Sequence, residues 1–319
     1  VKNKLYAAID LGGTKIYTVL ADSQGAILAA ARLPSAAALG PDAVMQQMAV
    51  SVGTVLDEAQ LNREDVLAVG VCAAGFFDWQ EKVMVSSPNL PGFSGVALEK
   101  RLSSLLGLKV LAENDANAAA LGEARLGAGR GCSEVVYVTV STGIGAGLII
   151  NGRIYRGGRG FAGELGHMVV KPDGPVCGCG RRGCLEAVSS GTAIARAAKE
   201  AVNQGAATIL KTAADGQLTA PAVFAAASQG DAVALSVLQH AVHYLGMGLV
   251  NVVNMFNPEV IVIGGGVAEA GETFLSPLSE IIAARAVPPA ASSVALKKAQ
   301  LGVKAGVAGM ICLLAETDG

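Results

Sequence analysis

The segment Glu113-Asn114-Asp115-Ala116-Asn117-Ala118-Ala119-Ala120 sets a carboxylate where an apolar, strand-like run meets a helix-like run. Asp115 has two readings there. Aspartate is a favoured helix N-cap, because its side chain accepts from the first free backbone N–H groups. A carboxylate in this place can also be a general base that takes the proton of a hydroxyl during phosphoryl transfer, with Asn114 orienting that hydroxyl. A second group is Cys177, Cys179 and Cys184, together with His167. Three thiolates and one imidazole make a closed tetrahedral Cys₃His set, which suits structural zinc. In a reducing compartment such a cluster reads as a metal site before it reads as a disulfide. Glycines between the cysteines let the chain wrap tightly round an ion, and closed coordination leaves no position open for chemistry. The alternative is three reduced thiols beside an unrelated histidine. Glu164 and Glu186 flank the set; they read either as a solvated face or as acceptors for several sugar hydroxyls. A site built on such hydrogen bonds rejects a sugar lacking the matching hydroxyl.

Three glycine loops form a third group. Asp10-Leu11-Gly12-Gly13-Thr14-Lys15 ends an apolar run. Gly12 and Gly13 let backbone approach a phosphate with no Cβ in the way, Thr14 offers a hydroxyl, and Asp10 is suited to Mg²⁺, directly or through water. Taken alone, the loop reads equally well as a hairpin turn. Ser141-Thr142-Gly143-Ile144-Gly145-Ala146-Gly147 follows another apolar run, and Gly264-Gly265-Gly266 follows a third. Neither the P-loop nor the dinucleotide spacing is present. The triple glycine is placed to let a base or ribose lie on backbone. Three such loops at strand ends are more specific than any one.

The elements that must position these groups follow from hydrophobic patterning. Strands are expected at residues 5–10, 16–21, 26–33, 66–72, 109–113, 134–140, 147–150, 153–155, 260–263 and 294–297. Helices are expected at 42–59, 96–106, 116–126, 192–203, 231–253, 273–285 and 304–314. Strand, glycine turn, strand, strand occurs twice, near 5–33 and near 134–156. Two similar α/β halves facing one cleft suit a nucleotide clamped between them.

Composition narrows the partners. The chain has 319 residues, a formal net charge of −2 and only 16% charged residues, which leaves no electrostatic footprint for nucleic acid or an anionic membrane. No membrane span is expected: the run 66–77 falls short of the ~20 residues needed, and Lys304 interrupts 301–315. No secretory leader is expected at the start, so the expected compartment is the cytoplasm. Cys72, Cys132 and Cys312 read as small buried hydrophobes. His240 and His243 read as helix-surface or packed histidines, Trp79 as a loop aromatic, and Arg181 and Arg182 as a solvated edge.

With these motifs in place, the chain resembles, over nearly its whole length, the ROK family of sugar kinases and regulators within the actin-like ATPase superfamily. The resemblance implies a two-domain α/β fold of the actin-like ATPase (ribonuclease H-like) kind with an interdomain cleft. The expected domains are 1–119, joined by the final helix at 303–319, and 120–302 with the zinc site. It implies that Asp10, Gly12, Gly13, Thr14, Lys15, Thr142, Gly143, Gly145, Gly265 and Gly266 handle ATP and its Mg²⁺. Asp115 is implied as the catalytic base. Glu164, Glu186 and the zinc-bound His167 are implied in the sugar pocket, the imidazole meeting sugar through its second nitrogen. Gly75 and Asn89 belong to two further sugar-touching segments. The family commonly has Pro-Gly where this chain has Ala74-Gly75; a backbone contact at Gly75 survives the change. Asn89 reads equally well as part of an ordinary turn.

The implied activity is ATP-dependent phosphorylation of a hexose at its 6-hydroxyl, with glucose leading. Alternatives are fructose, allose, N-acetylmannosamine or N-acetylglucosamine as acceptor, and polyphosphate as donor. A sugar-responsive repressor is the other class; it needs a DNA-binding module before the first loop, and Asp10 lies close to the start. A homodimer or homotetramer is implied as well.

Overall fold

The structure is a computed structural model and describes residues 4–213 and 218–318. The expectation about a leader concerns residues that lie partly outside this range.

The first sheet begins as an antiparallel meander, β1 (Leu5–Leu11), β2 (Lys15–Asp22) and β3 (Ile27–Pro34). Helix α1 (Pro41–Ala59) follows, with Pro41 in its first turn, where a missing N–H costs nothing. Its buried Val44, Met48, Val52 and Val55 recur at helical spacing and pack on β2 and β3. Next comes β4 (Val66–Ala73), buried almost throughout, as a central parallel strand must be. A small hairpin, β5 (Phe76–Asp78) and β6 (Val83–Ser86), leads to α2 (Leu98–Leu106), β7 (Lys109–Asn114) and α3 (Asp115–Leu126). The strand order is β3-β2-β1-β4-β7, with β1, β4 and β7 parallel.

The second half repeats the start: β8 (Val135–Val140), β9 (Ile144–Ile150) and β10 (Arg153–Ile154). Helices α4 (Leu185–Ser189), α5 (Gly191–Asn203), α6 (Ala220–Ser228) and α7 (Ala232–Phe256) follow. Then come β11 (Val260–Gly264), α8 (Glu272–Arg285), α9 (Pro288–Ser293), β12 (Ala295–Lys298) and α10 (Ala305–Thr317). The second sheet runs β10-β9-β8-β11-β12, the same order as the first. The duplicated meander is therefore a duplicated sheet.

The chain divides into two compact units: 1–133 with 147–163 and 300–319, and 134–146 with 164–299. Residue 119 falls inside α3, which packs along α10. Glycines allow that contact. A Cβ on Gly309 would lie 1.7 Å from the Ala118 carbonyl oxygen, and one on Gly122 would lie 2.3 Å from that of Ala305. Alternate residues of β1 serve two cores. Ala7 and Ile9 join the cluster under α1 and α2, whereas Tyr6 and Ala8 join Val307, Met310 and Leu314 of α10.

Two expectations change. Helix α7, read as 231–253, reaches Phe256 and is, among the described residues, long and apolar enough to cross a bilayer. Its apolar side chains are nevertheless used inside the second unit, where it packs against α4, α5, α6 and α8 and buries Leu245, Leu249 and Val253. Strand β9 starts at Ile144 rather than at 147, so Gly145 belongs to the strand rather than to a loop.

Candidate active site

In the first unit, the C-terminal ends of three parallel strands lie side by side. Asp10 of β1 pairs in register with Cys72 of β4, which pairs with Glu113 of β7. Open parallel sheets place their ligand sites at such ends. Burial, followed by the charge of Asp115, pushes the Asp10 carboxyl up to about 6. Burial also raises the Asp115 carboxyl, opposed by the hydrogen bond from the Ala116 N–H. Asp115 Oδ1 accepts that bond at 2.9 Å, and Oδ2 has no partner among the described residues.

Asp115 does not cap α3. Asn114 is the N-cap, its Oδ1 accepting from the N–H groups of Ala116 (2.9 Å) and Asn117 (3.1 Å). Asn114 Nδ2 donates to the Gly75 carbonyl at 3.1 Å. Gly75 has φ 148, and a Cβ there would lie 2.6 Å from the Ser86 carbonyl oxygen. Gly13 packs on Asn89, whose carbonyl oxygen would be 2.8 Å from an added Cβ. Gly12, Gly13, Thr14 and Lys15 form the turn from β1 to β2, closed by the Gly12 N–H donating to the Lys15 carbonyl at 2.9 Å. Thr14 and Lys15 are exposed.

Glu113 is fully buried. Its Oε1 accepts from the Asn114 N–H (2.9 Å) and from Asn117 Nδ2 (3.0 Å). Its Oε2 accepts from Arg156 Nε (2.8 Å) and lies 2.7 Å from Arg156 Nη2. The Arg156 guanidinium sits 3.9 Å from the Trp79 ring centre. Sequence reasoning named Glu113 only as part of a motif, saw Trp79 as a bare loop aromatic and missed Arg156. Nothing in the local pattern distinguishes that arginine from a surface one.

In the second unit, a cavity of about 630 Å³ opens beside the ends of β8 and β11. Ser141, Thr142, Gly191, Val267, Gly266 and Phe224 are among its walls. That volume is within the range of small-molecule pockets. Gly265, at φ 84, could not carry a side chain, since a Cβ would meet the Val140 carbonyl oxygen at 2.4 Å. Helix α5 begins at the cavity with Ser190 as N-cap, and the Gly191 N–H donates to the Ser141 carbonyl at 2.7 Å. Gly191 and Phe224 were not foreseen.

The same unit gathers His167, Cys177, Cys179 and Cys184, whose donor atoms all lie within 4.8 Å of one another. The Cys179 and Cys184 sulfurs are 3.7 Å apart, and Cys177 Sγ is 3.7 Å from His167 Nδ1. With a Zn–S bond of about 2.3 Å, a tetrahedral edge is about 3.8 Å, so the donor set fits the ion. His167 Nε2 is turned the other way, 3.9 Å from Glu164 Oε2. Glu186 Oε2 accepts from the Ile144 N–H at 2.9 Å. A Cβ on Gly143 would stand 2.4 Å from that same oxygen, so Gly143 makes room for Glu186. Spacing alone gave no sign of this pairing.

A model of the ROK family matches residues 6–317. The chain belongs to the ROK family. It is 38% identical over 312 residues to a glucokinase of Halalkalibacterium halodurans, covering 97% of this chain and 94% of that protein. Among solved structures, it resembles the ROK hexokinase of Thermus thermophilus with a TM-score of 0.83 at 34% identity, over 99% of this chain and 100% of that one. It also resembles a ROK family glucokinase from Streptomyces griseus in complex with glucose and AMPPNP, with a TM-score of 0.80 at 34% identity, over 98% and 99%. The actin-like, two-sheet α/β architecture is thus shared with ROK enzymes.

Proposed function

We propose that this ROK-family chain transfers the γ-phosphoryl group of ATP to the 6-hydroxyl of glucose. The observation that carries the reading is Asp115. It is a carboxylate at the junction of β7 and α3, with one oxygen held by backbone and the other without a partner among the described residues. Burial makes it a better proton acceptor than an exposed aspartate. Asp115 takes the 6-hydroxyl proton as that oxygen attacks phosphorus, and Asn114 fixes the residue that carries the base. Asn89 and the Gly75 backbone are sugar-binding groups, as are Glu164, Glu186 and His167 Nε2, which accept from or donate to sugar hydroxyls. Relatives that are glucokinases at 34–38% identity over nearly the full chain favour glucose as the acceptor.

ATP occupies the cavity of the second unit, its base and ribose near Gly265 and Gly266 and its phosphates near Thr142, Gly143 and Gly145. Gly12, Gly13, Thr14 and Lys15 also bind phosphate. Asp10 is the carboxylate for Mg²⁺, an ion that neutralises phosphate charge when bound. His167, Cys177, Cys179 and Cys184 hold one zinc ion in a structural role. The enzyme works in the cytoplasm at the entry to glycolysis, as a homodimer or homotetramer.

A coupled assay over a panel of hexoses and N-acetylhexosamines, with ATP and polyphosphate as donors, tests the reading. Glucose with ATP should give the highest kcat/KM. A higher value for another sugar, or for polyphosphate, would replace the assignment.

A further inference from the structure

Glu113 stands immediately before the junction that carries Asp115, yet it touches no open space. A fully buried carboxylate is costly unless it is paired and its lone pairs are satisfied. Here all of that is supplied. Oε1 takes the Asn114 N–H and the Asn117 amide, and Oε2 takes two N–H groups of Arg156. Arg156 comes from the segment after β10, far from Glu113 in sequence. Its guanidinium is pressed over Trp79 from the β5–β6 hairpin. Arg159 in the same segment pairs with Asp78 of β5. The hairpin, the catalytic junction and the 155–159 segment are therefore joined through charged, geometrically fixed contacts.

These contacts bear on the base through the backbone. The Glu113 carboxylate fixes the Asn114 N–H, and Asn114 caps α3 and grips the Gly75 carbonyl. Asp115 is the first residue of α3, so the direction of its carboxylate follows from the placement of Asn114 and Asn117. We propose that Arg156 and Glu113 are positioning residues for Asp115: their ion pair, stacked on Trp79, sets the aim of the base without touching substrate. The inference rests on Asp115 being the base. Arginine is suited to the task and lysine is not, because only the planar guanidinium can give two N–H bonds to Glu113 and stack at once.

The test uses the full chain with Arg156→Lys and Arg156→Ala, steady-state kinetics, thermal unfolding and chemical rescue. Arg156 also lines an open cavity of about 500 Å³ with Arg125 and Ile154, which gives free guanidinium a route to the vacated place. Arg156→Lys should fold normally, lose about tenfold in kcat and keep both KM values within about twofold, since small errors in aim act on the chemical step. Arg156→Ala should lose about 100-fold in kcat, and millimolar guanidinium should restore at least about tenfold in a saturable way. If Arg156→Ala fails to fold, the lysine variant decides. The proposal is overturned if the folded variants keep kcat within about twofold, if the defect lies in KM, or if guanidinium restores nothing to a folded Arg156→Ala protein. Asp115→Asn run alongside separates the two claims. Retained turnover there defeats the base itself, whereas its loss with an unchanged Arg156→Lys enzyme defeats only the positioning.

Discussion

The two regions that carry carboxylates for the proposed reaction are held in different ways. The Glu113–Asp115 junction sits at the end of a buried parallel strand, with the large apolar cluster of β1, β4, α1 and α2 on one side of the sheet and α10 on the other. Glu164 lies in a loop, and Glu186 sits on the short helix α4, whose buried Leu185 packs on Gly248 of α7. Cys177, Cys184 and Ala187 form a small apolar cluster beside them. Packing positions the first region. In the second, a short packed helix is joined by four donor atoms within 4.8 Å of one another, a set able to share the positioning with a metal. The cysteine–histidine set lies beside Glu164 and Glu186, the carboxylates proposed to bind sugar, rather than beside Asp115, the proposed base.

Stripping the metal should break the second region and spare the first. Protein purified without added zinc should hold about one ion per chain, and chelation should cut turnover at least about 100-fold while the ATP cavity still binds AMPPNP. Full activity without metal, measured by elemental analysis beside the assay, would remove the contrast. Gly143→Ala is a milder probe of the same region. Its Cβ must displace Glu186, which should raise KM for glucose about tenfold with little change in stability. A change confined to KM for ATP would assign Gly143 to phosphate alone.

Gly309→Ala probes the first region by forcing α10 away from α3. Urea unfolding should show a loss of about 1–3 kcal/mol. Metal content should stay unchanged. The smallest effect concerns Asp10. Its carboxyl is raised to about 6 by burial and by Asp115, so the folded state favours its protonated form. That contribution to stability is full below the unfolded pKa near 4 and is lost as pH rises through about 6. Asp10→Asn should therefore raise the melting temperature at pH 8 and leave it nearly unchanged at pH 4. The wild-type turnover should fall as the pH drops through the same range.

The sequence announced most of this arrangement through residue type and spacing. The glycine turns after β1, β8 and β11 were legible because each follows an uninterrupted apolar strand. The Cys₃His set was legible because its ligands lie close in sequence. Most of what failed shares one cause: contacts made across long sequence separation. Asn114 and Asp115 are both good caps, and only the three-dimensional path of β7 into α3 selects Asn114. Gly145 read as loop, although β9 already runs from Ile144, and a glycine is needed at 147 because the Ala116 carbonyl of α3 would lie 2.4 Å from a Cβ there. Gly143 read as a phosphate glycine, and its spacing gave no sign that it also makes room for Glu186. Arg156 carries no local signal at all, since its partners Glu113 and Trp79 come from other elements. The Ala-rich α6 lacks the polar–apolar contrast that reveals a helix by period.

The central claim is that Asp115 takes the proton from the attacking hydroxyl. It is tested most directly by steady-state kinetics of Asp115→Asn with glucose and ATP, beside its thermal unfolding curve. The account predicts a fall in kcat of about 100- to 10,000-fold, with KM values and melting temperature close to wild type. A folded Asp115→Asn protein that keeps more than about a tenth of wild-type turnover would contradict it.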